Sequence, residues 1–183
     1  MMHIVLLEPE IASNTGNIGR TCVAAGASLH LIEPLGFHLD ERNLRRAGMD
    51  YWKDLRVSRY STFDQFEQCH PGAELYFATT KGRTLYTEAS YGPDSFLVFG
   101  KESGGIPEEL LMRYPERCVR IPMIGETRSL NLANSVSILL YEALRQNGFE
   151  GMKLEGQLHA HRWEDLDDTA SGSISGQDER ASR

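Results

Sequence analysis

The sequence predicts an α/β fold: a mostly parallel sheet flanked by helices. Three observations carry this prediction. Short apolar runs at residues 3–8, 28–33, 74–79 and 95–100 read as strands buried on both faces, because helix-covered parallel sheets lose the in-out alternation of half-exposed strands. Between them the chain turns to helical spacing or to polar, glycine-bearing loops. With 183 residues, 40% of them hydrophobic, the chain is long enough for one α/β domain with a full core and too short for two.

The first strand, residues 3–8, is ended by Pro9. Residues 10–26 read as a polar loop, carrying Asn14, Gly16 and Gly19, that opens a helix ended by Gly26. A second strand at 28–33 and a turn at Pro34-Leu-Gly36 complete a βαβ unit. Residues 39–49 read as a helix, 51–60 as mixed with a short strand near Val57, and 62–69 as an amphipathic helix through Phe63 and Phe66. The strand at 74–79 opens into Thr80-Lys-Gly-Arg83, and the strand at 95–100 into Lys101-Glu-Ser-Gly-Gly-Ile-Pro107. Pro107 sits in the first turn of a helix reaching Tyr114, since proline is tolerated where the N–H has no intrahelical acceptor. A last strand, 118–121, breaks at Pro122 and leads through a loop holding Gly125 to a helix. In that helix Leu132, Val136, Leu139, Leu140, Ala143 and Leu144 recur on one face. Ser129 and Asn131 stand at its start, beside N–H groups that can meet a ligand. Three strand ends, at Ala78-Thr79, Gly100-Lys-Glu102 and 121–129, thus converge on loops at the edge where α/β sheets bind ligands.

The net charge of −7 is unevenly placed. Residues 155–183 carry seven acids against three arginines, so this stretch, nearly without large apolar groups after 164, reads as a mobile acidic tail to a domain at 1–154. Arg42, Arg45, Arg46, Lys53, Arg56 and Arg59 against Asp50 and Asp54 give a local +4, which on charge alone favours a solvated helix face over contact with a phosphate backbone. Cys22, Cys69 and Cys118 are odd in number and widely spaced, so neither a disulfide framework nor a metal site is expected. No run is long enough for a membrane span and no signal peptide is evident, so the expectation is a cytoplasmic protein. A dinucleotide fingerprint would need Gly-x-Gly-x-x-Gly; here the positions are Asn14, Gly16 and Gly19, with Glu33 where a ribose-binding acid would stand.

Asn14-Thr-Gly-Asn-Ile-Gly-Arg20, Phe99-Gly-Lys-Glu-Ser-Gly-Gly-Ile-Pro107, and Ile121-Pro-Met with Ser129-Leu-Asn-Leu-Ala-Asn-Ser-Val-Ser137 resemble, in order, the three motifs of the SPOUT-class RNA ribose 2′-O-methyltransferases. The opening Ile4-Val-Leu-Leu-Glu-Pro-Glu-Ile11 and Leu44-Arg-Arg-Ala-Gly-Met-Asp-Tyr51 are similar to one branch, the tRNA (cytidine(34)-2′-O)-methyltransferases, which act on the wobble nucleotide of leucine tRNAs. The resemblance covers residues 2–152.

It implies a SPOUT α/β-knot whose C-terminal part forms a trefoil knot, S-adenosyl-L-methionine as methyl donor, a homodimer, the tRNA anticodon stem-loop as partner, and no metal. By motif position the donor site would use Ala78, Gly100, Ile121, Met123, Ser129 and Leu130, largely through backbone groups. Asn14, Arg20, Glu102, Ser129 and Asn131 would be the catalytic positions, and Arg42, Arg45, Arg46 and Lys53 would contact RNA. Arg20 is cast as general base in such enzymes; an arginine, with a pKa above about 12, ordinarily stays charged and suits holding phosphate or a developing alkoxide. Two departures stand out. Ala78 replaces a leucine of the family pattern, and the acidic tail has no counterpart. Another tRNA or rRNA target, and a nucleotide-binding protein that is no methyltransferase, are the competing expectations.

Overall fold

The computed structural model describes residues 1–38, 50–125 and 129–163, with Asp50 and Tyr51 described by backbone alone. The chain divides into two compact units, Met1–Glu150 and Gly151–Arg183. Among the described residues, every strand and helix belongs to the first unit, and residues 151–163 form neither. The expected helix at 39–49, with Arg42, Arg45 and Arg46, and the tail beyond residue 163 lie outside the described residues.

Seven described strands form one parallel sheet: β1 (His3–Leu7), β2 (Ser28–Ile32), β3 (Val57–Tyr60), β4 (Leu75–Ala78), β5 (Thr84–Leu85), β6 (Phe96–Phe99) and β7 (Cys118–Arg120), in the order β3-β2-β1-β6-β4-β7-β5. β1 lies mid-sheet, in register with β2 (His3 opposite Ser28) and with β6 (His3 opposite Phe96). The continuous apolar runs are explained by burial on both sides. Val5, Leu7, Phe77 and Val98 join Phe66 of α2 (Phe63–Cys69) and Leu111 of α3 (Glu108–Arg113) in one core cluster. By strand alternation Ile4 and Leu6 point the other way, toward the side where α4 (Leu132–Gln146) packs on α1 (Ala12–Ala25) and β6. Val136, Leu139, Leu140, Ala143 and Leu144 form the buried face of α4 as their spacing predicts, with Ala133 beside them, while Leu132, expected on the same face, is only half-buried. Among the described residues no helix is long and apolar enough to cross a membrane.

Two local expectations are corrected. The stretch after Pro9 is not a glycine-bearing loop: α1 begins at Ala12, so Asn14, Gly16 and Gly19 are helical and buried. The reason is packing. A Cβ on Gly19 would stand 2.9 Å from Leu55 Cδ2 and 3.2 Å from the Trp52 ring, so the missing side chain lets α1 lie against the 3₁₀ turn at Asp50–Asp54. Gly26 does end the helix, with a left-handed φ of 65° and its N–H bonded back to Val23. The second correction is β5, a strand of two residues paired only with β7 and too short to leave a sequence pattern.

Four side chains, from the start of β1 (His3), the middle of β2 (His30), the end of β3 (Tyr60) and the residue after α2 (His70), form a hydrogen-bonded chain. His3 Nδ1 lies 3.0 Å from His30 Nε2, His30 Nδ1 3.1 Å from the Tyr60 hydroxyl, and that hydroxyl 2.8 Å from His70 Nε2. Each ring can donate on one nitrogen and accept on the other only while neutral. Burial, with His3 and His70 adding repulsion, pushes His30 down to about 3. An unfolded chain therefore takes up a proton below about pH 6.5 that the folded chain refuses. Stability is then full above pH 6.5 and falls as pH drops toward 3, by up to about 1.4 kcal/mol per pH unit for one proton. Thermal melts of wild type and His30→Gln between pH 7 and 4 check this: the variant's Tm is expected to show the shallower dependence on pH.

Candidate active site

The loops leaving β4, β6 and β7 meet at the carboxyl edge of the sheet around a cavity of about 440 Å³. That volume falls in the range of about 300–1,000 Å³ typical of small-molecule sites. Ala78 is the last residue of β4, Gly100 follows β6, and Ile121 follows β7. With Met123, Ser129 and Leu130, all six expected cofactor positions line this one space. Ile106, Ile121, Met123 and Leu130 give it apolar walls, while the strand ends and the start of α4 supply backbone polar groups.

Its shape depends on one glycine. A Cβ on Gly100 would lie 2.2 Å from the carbonyl carbon of Gly105 and 2.3 Å from the Ile106 nitrogen, so only glycine lets the loop fold back on itself there. The loop closes as a turn in which Gly105 N–H donates to Lys101 O at 2.9 Å, with Gly105 at a left-handed φ of 67°.

Three elements are tied together at the cavity by polar side chains. Asn14 Nδ2 on α1 donates to Glu102 Oε1 at 2.9 Å, and Asn131 Nδ2 at the start of α4 donates to Asn14 Oδ1 at 3.0 Å. Asn131 also caps α4, its Oδ1 accepting from the N–H groups of Ala133 (2.9 Å) and Asn134 (3.3 Å). Asn14 is buried, so its amide is fixed on both sides, donor toward Glu102 and acceptor toward Asn131. Four of the five expected catalytic residues, Asn14, Glu102, Ser129 and Asn131, therefore line the same cavity.

Arg20 is placed differently: it is exposed on α1 and is not among the residues lining the cavity of its own chain. Six residues beyond Asn14 it points about 120° around the helix and about 9 Å along it. Of the expected RNA contacts only Lys53 is described, and it is exposed, as are Arg56 and Arg59. Glu33, the ribose-acid candidate of the dinucleotide reading, instead pairs with Arg59 at 2.5 Å. The sequence reading missed Glu8 and Glu10, which bond to the loop after β6; the only signal was their position, flanking Pro9 directly after β1. Among the described residues no three His, Cys, Asp or Glu side chains are grouped to hold a metal ion.

A parallel sheet with a ligand-sized cavity at its carboxyl edge, walled by three strand-end loops and a capped helix start, defines an α/β protein built to hold a small polar molecule. Which class it is follows from comparison. Residues 1–141 match the model of the SpoU rRNA Methylase family, and the chain belongs to that family. It is 47% identical over 154 residues to a tRNA (cytidine(34)-2′-O)-methyltransferase of Saccharophagus degradans, covering 84% of this chain and all of that one. A solved structure described as giving insight into the 2-OH methylation of C/U34 on tRNA superposes with a TM-score of 0.76 at 44% identity, over 81% of this chain and 97% of that chain. An AdoMet-bound rRNA methyltransferase of Sinorhizobium meliloti gives 0.70 at 30% identity, over 79% of this chain and 56% of that one.

Proposed function

We propose that this chain is a tRNA 2′-O-methyltransferase that moves a methyl group from S-adenosyl-L-methionine to the ribose 2′-hydroxyl of the wobble nucleotide, cytidine or modified uridine 34, in leucine tRNAs. The observation that carries this reading is the meeting of the six cofactor positions with the Glu102–Asn14–Asn131 chain at one cavity. It is supported by relatives and a neighbour whose names specify nucleotide 34.

The residues present fit the donor. The cavity offers apolar walls for a purine and a thioether-like chain, and backbone groups at Gly100, Ile121 and Leu130 for its polar edges. When bound, the donor supplies a sulfonium methyl group that is already electrophilic. What the protein must add is alignment of a weak nucleophile and removal of its proton. Glu102, with one oxygen engaged by Asn14, stands at the cavity as the carboxylate side of a polar wall. Asn131 orients Asn14 from the other side, and Ser129 lies next to it on the rim.

In this reading Arg20 serves as a fixed cation that grips RNA phosphate and steadies the developing alkoxide, and it reaches a cavity through a homodimer. Ile138 and Tyr141 leave an exposed apolar stripe on α4, one turn apart, which suits burial against a second copy. Arg42, Arg45, Arg46 and Lys53 would extend the phosphate-binding surface toward the anticodon stem-loop. We further take residues 1–154 as the methyltransferase domain, 155–183 as an appended acidic tail, the chain path after β7 as a trefoil knot, the reaction as metal-free and the cytoplasm as its place of work.

Nucleotide-resolved mapping of ribose methylation, in a strain lacking the protein and in one restored with wild type or Arg20→Ala, tests the reading. Wild type is expected to restore methylation at nucleotide 34 of leucine tRNAs. Arg20→Ala is expected to transfer methyl at least about 10²-fold more slowly while binding S-adenosylhomocysteine normally. Methylation at another tRNA or rRNA position would move the target, and wild-type turnover by Arg20→Ala would remove Arg20 from the mechanism.

A further inference from the structure

We propose that Glu10 is a positioning residue for the methyl-transfer site, clamping the loop after β6 so that Glu102 is held toward Asn14. The inference deepens the methyltransferase reading and rests on it.

The segment Glu8-Pro9-Glu10 between β1 and α1 interlocks with Lys101-Glu102-Ser103 through four bonds. Glu8 Oε2 takes Lys101 Nζ at 2.7 Å. Glu10 N–H donates to Glu102 Oε2 at 2.9 Å, leaving Oε1 for Asn14. The Glu10 carboxylate accepts from both the N–H (2.8 Å) and the hydroxyl (2.7 Å) of Ser103. Two bonds to one residue fix direction as well as distance, so the peptide on the far side of Glu102 cannot swing. The Ser103 hydrogen bonds also hold the Glu10 carboxyl below its ordinary range, which keeps it in the doubly accepting form.

The clamp is itself backed. Gly36 N–H donates to Pro9 O at 2.9 Å, and a Cβ on Gly36 would meet Glu10 Cα at 2.7 Å, so the turn after β2 presses directly on the Glu10 backbone. Glu8 adopts a φ of 46°, a left-handed value uncommon for a residue with a side chain, and its ion pair with Lys101 spans the same junction. Glu10 does not line the cavity, whereas Glu102 and Ser103 do. Its effect on the reaction must therefore pass through the loop it holds.

Glu10→Ala, Glu10→Gln and Ser103→Ala separate positioning from bulk structure. Single-turnover methyl transfer, KM for tRNA, calorimetric affinity for S-adenosylhomocysteine and Tm are measured on each folded protein. Glu10→Ala is expected to lower kcat about 10²-fold, the size of effect that slight misplacement of a reacting group produces. S-adenosylhomocysteine affinity and KM should stay within about threefold of wild type, because the uniform binding contacts remain. Glu10→Gln, whose carbonyl can accept the Ser103 N–H and whose amide can donate to the hydroxyl, should recover most of kcat. Ser103→Ala, losing one of the two bonds, should fall between. A folded Glu10→Ala with wild-type kcat overturns the inference, as does a loss of S-adenosylhomocysteine affinity in step with kcat. Should Glu10→Ala not fold, wild-type kcat in Ser103→Ala overturns it equally. Failure of the wild-type protein to methylate RNA would instead refute the methyltransferase reading.

Discussion

Gly100→Ala is expected to close the cavity and weaken S-adenosylhomocysteine binding by more than about tenfold, with a Tm lowered by about 5–10 °C. The added Cβ would lie 2.2 Å from the Gly105 carbonyl carbon and 2.6 Å from its oxygen, both backbone atoms that no rotamer change can move aside. The turn at Lys101–Gly105 would have to open, and with it the bond from Gly105 N–H to Lys101 O. Overpacking of this kind costs about 1–3 kcal/mol, and in a domain of this size each kcal/mol lowers Tm by about 2–4 °C. A contrast locates the effect. Gly104 tolerates a Cβ, whose nearest contact would be the flexible Lys101 Cε at 3.4 Å, so Gly104→Ala should leave both Tm and affinity close to wild type. Differential scanning fluorimetry and calorimetry on the pair provide the check; equal behaviour of the two variants would contradict the geometry.

Asn14→Ala is expected to lower kcat by about 10²–10³-fold while the protein still folds. The substitution removes the donor to Glu102 Oε1 and the acceptor for Asn131 Nδ2 in one step, so the link between α1, the loop after β6 and the start of α4 is lost. Unpairing polar groups that a buried amide had satisfied costs about 1–3 kcal/mol of stability, which the core beneath can absorb. The larger consequence is for orientation, since groups preorganised around developing charge carry effects of about this size each. Asn131 retains its bonds to the Ala133 and Asn134 N–H groups, so α4 keeps its cap. A kcat unchanged in a folded Asn14→Ala, measured in single turnover, would show that the side-chain chain is scaffolding alone.

How far these features could be read from the sequence depended on whether they were local. The four longest apolar runs became β1, β2, β4 and β6 within a residue or so, because burial on both faces writes itself into consecutive positions. Gly26 ended α1 and Asn131 stood at the start of α4, each from residue type and position, whereas the Thr62 cap on α2, accepting from Gln65 N–H, emerged only in the structure. What depended on two distant segments approaching was not legible. The glycines of α1 were taken for loop formers, although Gly19 is needed by Leu55 and Trp52 far along the chain. The tight approach at Gly100 and the grip of Glu10 on Ser103 arise across the same kind of distance. The residues that the motif resemblance singled out for the donor line one cavity, whereas Arg20 sits on the exposed side of α1, a fact that motif order cannot convey.

The central claim is that the loops leaving β4, β6 and β7 form a cradle for a sulfonium cofactor. Calorimetric titration of the purified full-length protein with S-adenosylhomocysteine, and separately with NAD, tests it most directly. Saturable binding of S-adenosylhomocysteine, weakened in Gly100→Ala, with no heat from NAD is the expected result; binding of NAD alone would contradict the claim.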